Sequence, residues 1–547
     1  MNSYTRRMAE TGSSVGAKGP VVLIIRDGWG RNPHPEHDAF NAVKLARTPC
    51  ADALESDWPT TLVKTSGEDV GLPVGPDGPV MGNSEVGHQN LGAGRIVDQE
   101  LMRITRAIRS GDFARNATLR KAFDRAKASG RSVHVMGLVS DGQVHSDLPH
   151  LEAILELGKA IGFPGDRLFV HAFTDGRDTP NDGSLRYVPW LEGVLARTGG
   201  RIATVCGRFY AMDRDHRWER VKKAYDLLVG RGGARAASAL DAVRTNLANP
   251  TSPTQAGDEF TPPTRVLDEG AVADGDSVIF LNFRGDRPRE LCKAFMLDDA
   301  SWKAVQGGGF DRDPRPRDLF FTTMAEYEQG LPVEPIFHRP EKMQGILGQV
   351  VSDAGLTQFR CAETEKFPHV TFFFNDYREQ PFPGEHRTIV PSPKDVPTYD
   401  LKPEMSAHGV RDAVLARLAA PDCERLFIVN FANPDMVGHT GSLPAAIKAC
   451  ETVDACVQVI MSAALAKGGE LVITADHGNA EQMKDPVTGA PHTAHTNFTV
   501  PLTVVGQRWK SARLRDGGRL GDVAPTLLQM LGLTQPQAMQ GVSLLKT

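Results

Sequence analysis

Apolar residues along this chain come in short β-branched runs separated by amphipathic stretches. Val21-Val-Leu-Ile-Ile25, Leu426-Phe-Ile-Val-Asn430 and Glu470-Leu-Val-Ile-Thr474 read as buried strands. Each is followed within a few residues by an acidic residue: Asp27, Asp435 or Asp476. Leu443 to Ala466 carries helical spacing with no proline after Pro444, so strand, helix and strand alternate there. In the middle of the chain Val133–Leu138, Leu168–Ala172, Ile202–Val205 and Val278–Leu281 read as strands, and Leu148–Ile161 and Trp218–Val229 as helices. The fold class is therefore α/β with mainly parallel sheets flanked by helices. Open sheets of this kind carry their sites at the carboxyl ends of strands. The candidate ligands come from residues 27–84 and again from 435–495, so the first domain is expected to be interrupted. The expected division is 20–99 with 336–547, and an inserted second α/β domain at 100–335.

At 547 residues the chain is long enough for more than one core. Hydrophobic residues make up 40% and charged residues 24%, an ordinary globular balance, and the net charge of -5 gives no reason to expect a nucleic-acid partner. The purely apolar runs are much shorter than a membrane span, so no membrane partner is expected. Residues 1–19 are small and polar and read as a disordered tail; Arg6-Arg7 is not followed by an apolar stretch of secretory length. The seven cysteines are scattered without zinc-motif spacing, which suits reduced thiols in a cytoplasmic protein.

The candidate chemistry lies in Asp27, Ser84, Asn433-Pro-Asp-Met-Val-Gly-His-Thr-Gly441, Ile473-Thr-Ala-Asp-His-Gly-Asn-Ala-Glu481 and Pro491-His-Thr-Ala-His-Thr496. A single Asp or His in such a loop reads first as a cap or a hydrogen-bonded residue. The conjunction reverses that reading. Asp and His together suit borderline cations such as Mn²⁺, Zn²⁺ or Co²⁺, and a pair of ions can clamp both oxygens of a displacement at phosphorus. Asp435 and His439 stand four apart, a spacing that lets both reach one ion. Ser84, among glycines in Met81-Gly-Asn-Ser-Glu-Val-Gly-His88, is the candidate nucleophile, although it also reads as a helix N-cap.

Those segments, with Leu138-Val-Ser-Asp-Gly-Gln-Val-His-Ser146, Asp175-Gly-Arg-Asp-Thr-Pro180, Gly207-Arg-Phe-Tyr-Ala-Met-Asp-Arg-Asp215, Asn282-Phe-Arg-Gly-Asp-Arg287 and Ala362-Glu-Thr-Glu-Lys-Phe367, resemble the cofactor-independent phosphoglycerate mutases of the alkaline phosphatase superfamily, in the same order. The resemblance implies an alkaline-phosphatase-like domain, interrupted by a substrate-binding transferase domain. It implies interconversion of 3-phosphoglycerate and 2-phosphoglycerate through a phosphoserine at Ser84, with two divalent ions, Mn²⁺ first and Zn²⁺, Co²⁺ or Mg²⁺ as alternatives, and no 2,3-bisphosphoglycerate. One ion would be held by Asp27, Ser84, Asp476 and His477, the other by Asp435, His439 and His495, with His492 a nearby alternative to His495. His145, Arg177, Asp178, Arg208, Arg214, Arg284, Arg287 and Lys366 would bind substrate. Asp178 would carry the proton of the glycerate hydroxyls, and Lys366 would reach the phosphoryl group. The implied partner is a small-molecule phosphoglycerate in the cytoplasm, met by a monomer.

Three positions depart from the family pattern. Arg26 replaces an aliphatic residue before Asp27 and is expected to be ion-paired or turned to solvent. Val74–Val80 is a longer approach to Ser84, and Gly285 in place of a proline is expected to loosen the Arg284–Arg287 loop. Two other readings fit the residues: a two-metal phosphatase or other phosphomutase of the superfamily, and a catalytically dead binding protein. The arginine-rich middle argues against the first, because a plain hydrolase has no alcohol to retain.

Overall fold

The computed structural model describes residues 19–75 and 78–546; the tail read over residues 1–19 lies, except for Gly19, outside them. The chain forms two compact units, one running to Gln99 and resuming at Glu341, the other Glu100–Pro340.

The first unit is built on an eight-stranded sheet in the order Glu385–Val390, Gln358–Glu363, Leu426–Phe431, Val21–Arg26, Glu470–Thr474, Val500–Val505, Thr60–Lys64, Gly518–Arg519. All pairings are parallel except those of Val500–Val505, which runs antiparallel to both neighbours. Val21 to Ile25 are fully buried, as expected of a central strand covered by helices on both faces. Leu443–Ala466 has the length and hydropathy of a membrane span, yet its Ala446, Ala449, Val453 and Ile460 are core residues. The approach to Ser84 is a small antiparallel pair, Val74–Gly75 with Gly78–Pro79; residues 76–77 lie outside the described residues.

Arg26 is not turned to solvent: only 3% of it is exposed. Its guanidinium lies 4.4 Å from the centre of the Trp29 ring. Its Nε has no hydrogen-bond partner, and among the described residues no carboxylate forms an ion pair with it. Burial lowers its pKa to about 10, with Cys50, Asp454 and Glu55 opposing. Stacking on an aromatic face takes the role that an ion pair was expected to fill.

The second unit has its own eight-stranded sheet: Glu334–Phe337, Phe320–Ala325, Ser277–Phe280, Val133–Leu138, Leu168–Thr174, Arg201–Gly207, Thr264–Arg265, Ala234–Arg235. Only the pairing of Arg201–Gly207 with Thr264–Arg265 is antiparallel. The strand Glu334–Phe337 pairs with Phe320–Ala325, so this sheet continues across residue 335. Alternate residues of each strand feed separate cores: Val133, Val135 and Ile279 on one face, Met136, Leu138, Val278 and Phe280 on the other.

Candidate active site

Asp27, Asp435 and Asp476 follow the adjacent central strands Val21–Arg26, Leu426–Phe431 and Glu470–Thr474. Parallel neighbours end side by side, so three acidic residues distant in sequence meet at one edge. Gly28, at φ +73°, lets the chain turn there; a Cβ on it would stand 2.7 Å from Asp435 Cα. Ser84 opens the helix Ser84–Ala93 but is not its cap, because Asn83 accepts the Val86 N–H at 2.9 Å. This leaves the Ser84 hydroxyl free to face the carboxylates. Asp435 lies on the short helix Asn433–Gly438, and His439 follows it directly.

Ser84 Oγ lies 3.2 Å from Asp27 Oδ1, 3.0 Å from His477 Nε2 and 2.6 Å from Lys366 Nζ. Lys366 uses its three N–H bonds on Asp27 Oδ1 at 2.9 Å, Asp435 Oδ2 at 2.7 Å and that hydroxyl. Burial opposes its charge, but Asp27, Asp435 and Asp476 outweigh it and raise the ammonium pKa. Burial and Asp476 push the Asp27 carboxyl up, whereas for Asp435 the cationic neighbours led by Lys366 overcome burial and hold it well down.

His439 and His495 have a geometry that calls for a cation. Each ring uses Nδ1 on a backbone carbonyl, Thr493 O at 2.7 Å and Gly82 O at 2.8 Å. When neutral, each therefore turns the lone pair of Nε2 inward. The two Nε2 atoms are 3.1 Å apart and stand 3.2 and 3.1 Å from Asp435 Oδ1. Three acceptors converge with no donor among them, the arrangement a divalent ion satisfies. Donor atoms of Asp435, His477 and His495 lie within 4.8 Å of one another, as do those of Asp27, His88 and Asp476. Asp27, Asp435, Asp476, His439, His477 and His495 fit a pair of divalent ions, whereas both ring nitrogens of His88 are taken by Ser84 O and Asn430. His477 stands between the two groups, its ring stacked on that of His495 with centroids 3.8 Å apart. His492 is in neither group; its backbone N–H donates to Met483 O at 3.1 Å, and its ring Nδ1 is buried without a hydrogen-bond partner.

Below the pKa values of His439 and His495, protons take the place of the cation in the metal-free protein. Hydrogen bonding to Asp435 raises the pKa of His439, and for His495 the same carboxylate overcomes burial in the same direction. A raised folded value means that these protons stabilise the fold below the ordinary imidazole pKa, and that this contribution is lost as pH rises through the raised values. Metal must displace both protons. Apparent metal affinity is thus expected to fall about a hundredfold per pH unit on the acid side of both values. The acid limb of activity should move to lower pH as metal concentration is raised. Rate profiles at several metal concentrations check this, and a limb that stays fixed would refute it.

Two residues at this edge escaped the sequence reading. His88 Nδ1 donates to Ser84 O at 2.8 Å and lies 3.2 Å from Asp476 Oδ2, and its Nε2 accepts from Asn430 Nδ2 at 3.0 Å. Asn430 Nδ2 gives its other hydrogen to Asp27 Oδ2 at 2.7 Å. Both side chains are fully buried and tie Asp27, Asp476 and the Ser84 turn into one frame. Outer hydrogen bonds of this kind hold donor atoms in register. Asn430→Ala and His88→Ala are each expected to weaken metal binding about 10- to 100-fold, measured by calorimetric titration of chelator-treated protein. Unchanged affinity in both would show that the frame does no such work.

The second unit gathers the other sequence-selected residues at the carboxyl ends of its strands. Arg208 Nη1 donates to Asp175 Oδ1 and to Asp178 Oδ2, both at 2.6 Å. Asp286 pairs with Arg214 at 2.9 Å and with Arg284 at 3.1 Å. Arg177 reaches Glu259 at 3.4 Å, and Arg287 donates to Met212 O at 3.2 Å. His145 lies 3.9 Å from Asp178 and 3.8 Å from Asp286. Burial, then Arg208, lowers its pKa to about 4, so its ring is neutral at pH 7. A cavity of about 320 Å³ is lined by Arg177, Arg208, Arg214 and Arg287 together with Asp213 and Glu259. Clustered guanidinium groups recognise carboxylate and phosphate. Gly285 does not leave its loop slack: a Cβ there would stand 2.6 Å from Tyr327 Cα, and the Tyr327 hydroxyl bonds the Asn282 carbonyl. Glycine lets Tyr327 brace the turn that carries Arg284 and Arg287.

A parallel α/β sheet carrying buried carboxylates and imidazoles at its strand ends defines a metalloenzyme class, and the chain matches the Metalloenzyme superfamily over residues 19–535. It is 55% identical over 533 residues to a 2,3-bisphosphoglycerate-independent phosphoglycerate mutase of Rhodopirellula baltica, covering 96% of this chain and 97% of the relative. A protein of the same name from Desulforudis audaxviator is 49% identical, with 96% and 99% covered. A crystal structure of Leishmania mexicana phosphoglycerate mutase at low cobalt concentration superposes with a TM-score of 0.61 at 32% identity, covering 97% of this chain and 98% of that one. This chain belongs to the 2,3-bisphosphoglycerate-independent phosphoglycerate mutases, a family of divalent-metal-dependent isomerases.

Proposed function

We propose that this enzyme interconverts 3-phosphoglycerate and 2-phosphoglycerate by passing the phosphoryl group through Ser84, without 2,3-bisphosphoglycerate. The observation that carries the reading is the setting of the Ser84 hydroxyl, hydrogen-bonded to Lys366 and facing Asp27 and His477. Asp27, Ser84, Asp476 and His477 would hold one divalent ion, and Asp435, His439 and His495 the other. Mn²⁺ is the proposed activator, from a donor set of oxygen and imidazole nitrogen without thiolate. When bound, the ions lower the pKa of the serine hydroxyl and offset charge on the phosphoryl oxygens.

The rest of the work falls to the chain. The Ser84 oxygen takes the phosphoryl group from the 3-oxygen of phosphoglycerate, and Lys366 supplies positive charge beside it. Asp178 gives a proton to the leaving glycerate oxygen. His145, Arg177, Arg208, Arg214, Arg284 and Arg287 keep glycerate bound while it turns. Asp178 then accepts the proton of the 2-hydroxyl, which recovers the phosphoryl group and frees Ser84. The partner is small-molecule phosphoglycerate, met by a monomer in the cytoplasm as a step of glycolysis and gluconeogenesis; seven free cysteines, six of them buried, suit that compartment.

Retention of the alcohol separates this reading from a phosphatase. Replacing Arg284 or Arg287 with Ala should cost isomerisation about 2–5 kcal/mol, since each would leave a desolvated substrate charge unpaired. Hydrolysis should fall much less. Labelled 3-phosphoglycerate should then yield a larger share of free phosphate than with wild type. An unchanged ratio in both variants would remove these arginines from the role.

A further inference from the structure

Asp175 was not singled out by its sequence context, yet it is the most heavily used acceptor in the second unit's site. It follows the strand Leu168–Thr174 and is 1% exposed. Its Oδ1 accepts from Arg208 Nη1 at 2.6 Å and from the backbone N–H groups of Arg177 at 3.1 Å and Asp178 at 3.0 Å. Its Oδ2 accepts from Ser140 Oγ at 2.6 Å, and that hydroxyl accepts the Gly142 N–H at 3.0 Å. The loops after three adjacent parallel strands, Val133–Leu138, Leu168–Thr174 and Arg201–Gly207, are thereby joined through one carboxylate. Gly176, at φ +69°, completes the turn, because a Cβ there would lie 2.7 Å from Glu259 N.

We infer that Asp175 is the positioning residue of the substrate site, holding Arg208 and the Arg177–Asp178 turn fixed while Asp178 changes charge. The inference rests on the mutase reading, in which Asp178 carries a proton. One guanidinium nitrogen of Arg208 bridges the two carboxylates; Asp175 is the inner one and Asp178, with its side chain 20% exposed, the outer. When Asp178 is neutral, a guanidinium paired with it alone would lose its counter-charge and shift. Asp175 supplies a second anion that takes no part in the chemistry. Burial pushes its carboxyl up, but the Ser140 hydroxyl, the Asp178 amide and Arg208 together outweigh burial and hold it below the ordinary carboxylate range. It stays ionised through the cycle.

Asp175→Asn tests this with little change of shape. The amide oxygen can still accept the two backbone N–H groups, and its NH₂ can donate to Ser140 Oγ, whose own O–H must turn to another acceptor; the charge toward Arg208 is lost. In the metal-loaded enzyme with thermal unfolding unchanged, the KM for 3-phosphoglycerate should rise roughly tenfold or more, the scale of a lost charge-assisted hydrogen bond. The share of substrate released as free phosphate should rise by a similar factor. Asp175→Glu keeps the charge but displaces it by one methylene; should the Asn variant fail to fold, it is expected to change both readouts in the same direction. An active wild type, with KM and partition in Asp175→Asn and Asp175→Glu both within twofold of it, would overturn the inference. So would a fall in kcat alone. A wild type without mutase activity would overturn the reading underneath and the inference with it.

Discussion

Ser84→Ala is expected to lose both isomerisation and phosphate release, by roughly 10⁴-fold or more, because a missing nucleophile removes the covalent route rather than weakening it. Ser84 is 6% exposed, and its oxygen lies within hydrogen-bond reach of a lysine, a carboxylate and an imidazole. Alanine vacates that point and leaves the donors around it in place. Metal affinity should fall modestly, since the remaining donors persist, and the fold should hold because Asn83, not Ser84, caps the helix. The discriminating comparison is with Arg284→Ala. Loss of an alcohol-holding arginine spares hydrolysis, whereas loss of Ser84 ends both products. Phosphate release by Ser84→Ala at wild-type rates would mean that water attacks the substrate directly.

Lys366→Met should have the largest effect on the stability of the metal-free protein. Its ammonium bonds Asp27 and Asp435 and is only 4% exposed. Methionine keeps much of the volume and removes the charge, which leaves those carboxylates and Asp476 buried without an ammonium. Breaking a buried pair from one side costs about 3–5 kcal/mol. The sign follows from linkage: a lysine pKa raised on folding contributes its full stabilisation below the ordinary lysine value, so neutral pH shows the whole loss. Divalent ions should restore most of it, because they return positive charge to the same carboxylates. Denaturant unfolding with chelator and with Mn²⁺ measures both. Equal stability of wild type and variant in chelator would show that Lys366 is not the counter-ion of this cluster.

Much of this site could be read from the chain because its chemistry is local in sequence. Asp27, Asp435 and Asp476 each sit just beyond an apolar run, and parallel pairing does the rest. Two of the features that stayed hidden depend on contacts that span hundreds of positions. His88, on a helix four residues after Ser84, resembles any core histidine until Asp476 is beside it. Asn430 closes an apolar strand and shows its purpose only through Asp27, 403 positions away. Asp175 looks like a turn residue because its Arg208 partner lies on the next strand's loop. Arg26 and Gly285 were misread for one reason: both are accommodated by an aromatic ring, Trp29 and Tyr327, that spacing alone does not assign. Ser84 yielded its capping role to Asn83, since only the residue with extended backbone outside the helix can accept the inner N–H.

The central claim is a phosphoryl group that travels through Ser84. Its most direct test is rapid-quench mass spectrometry of Mn²⁺-loaded enzyme turning over isotopically labelled 3-phosphoglycerate, with no 2,3-bisphosphoglycerate added. The account predicts labelled phosphate on Ser84 that forms before 2-phosphoglycerate and decays with turnover, and the loss of both when metal is chelated. Formation of 2-phosphoglycerate by Ser84→Ala, or only after 2,3-bisphosphoglycerate is supplied, would contradict it.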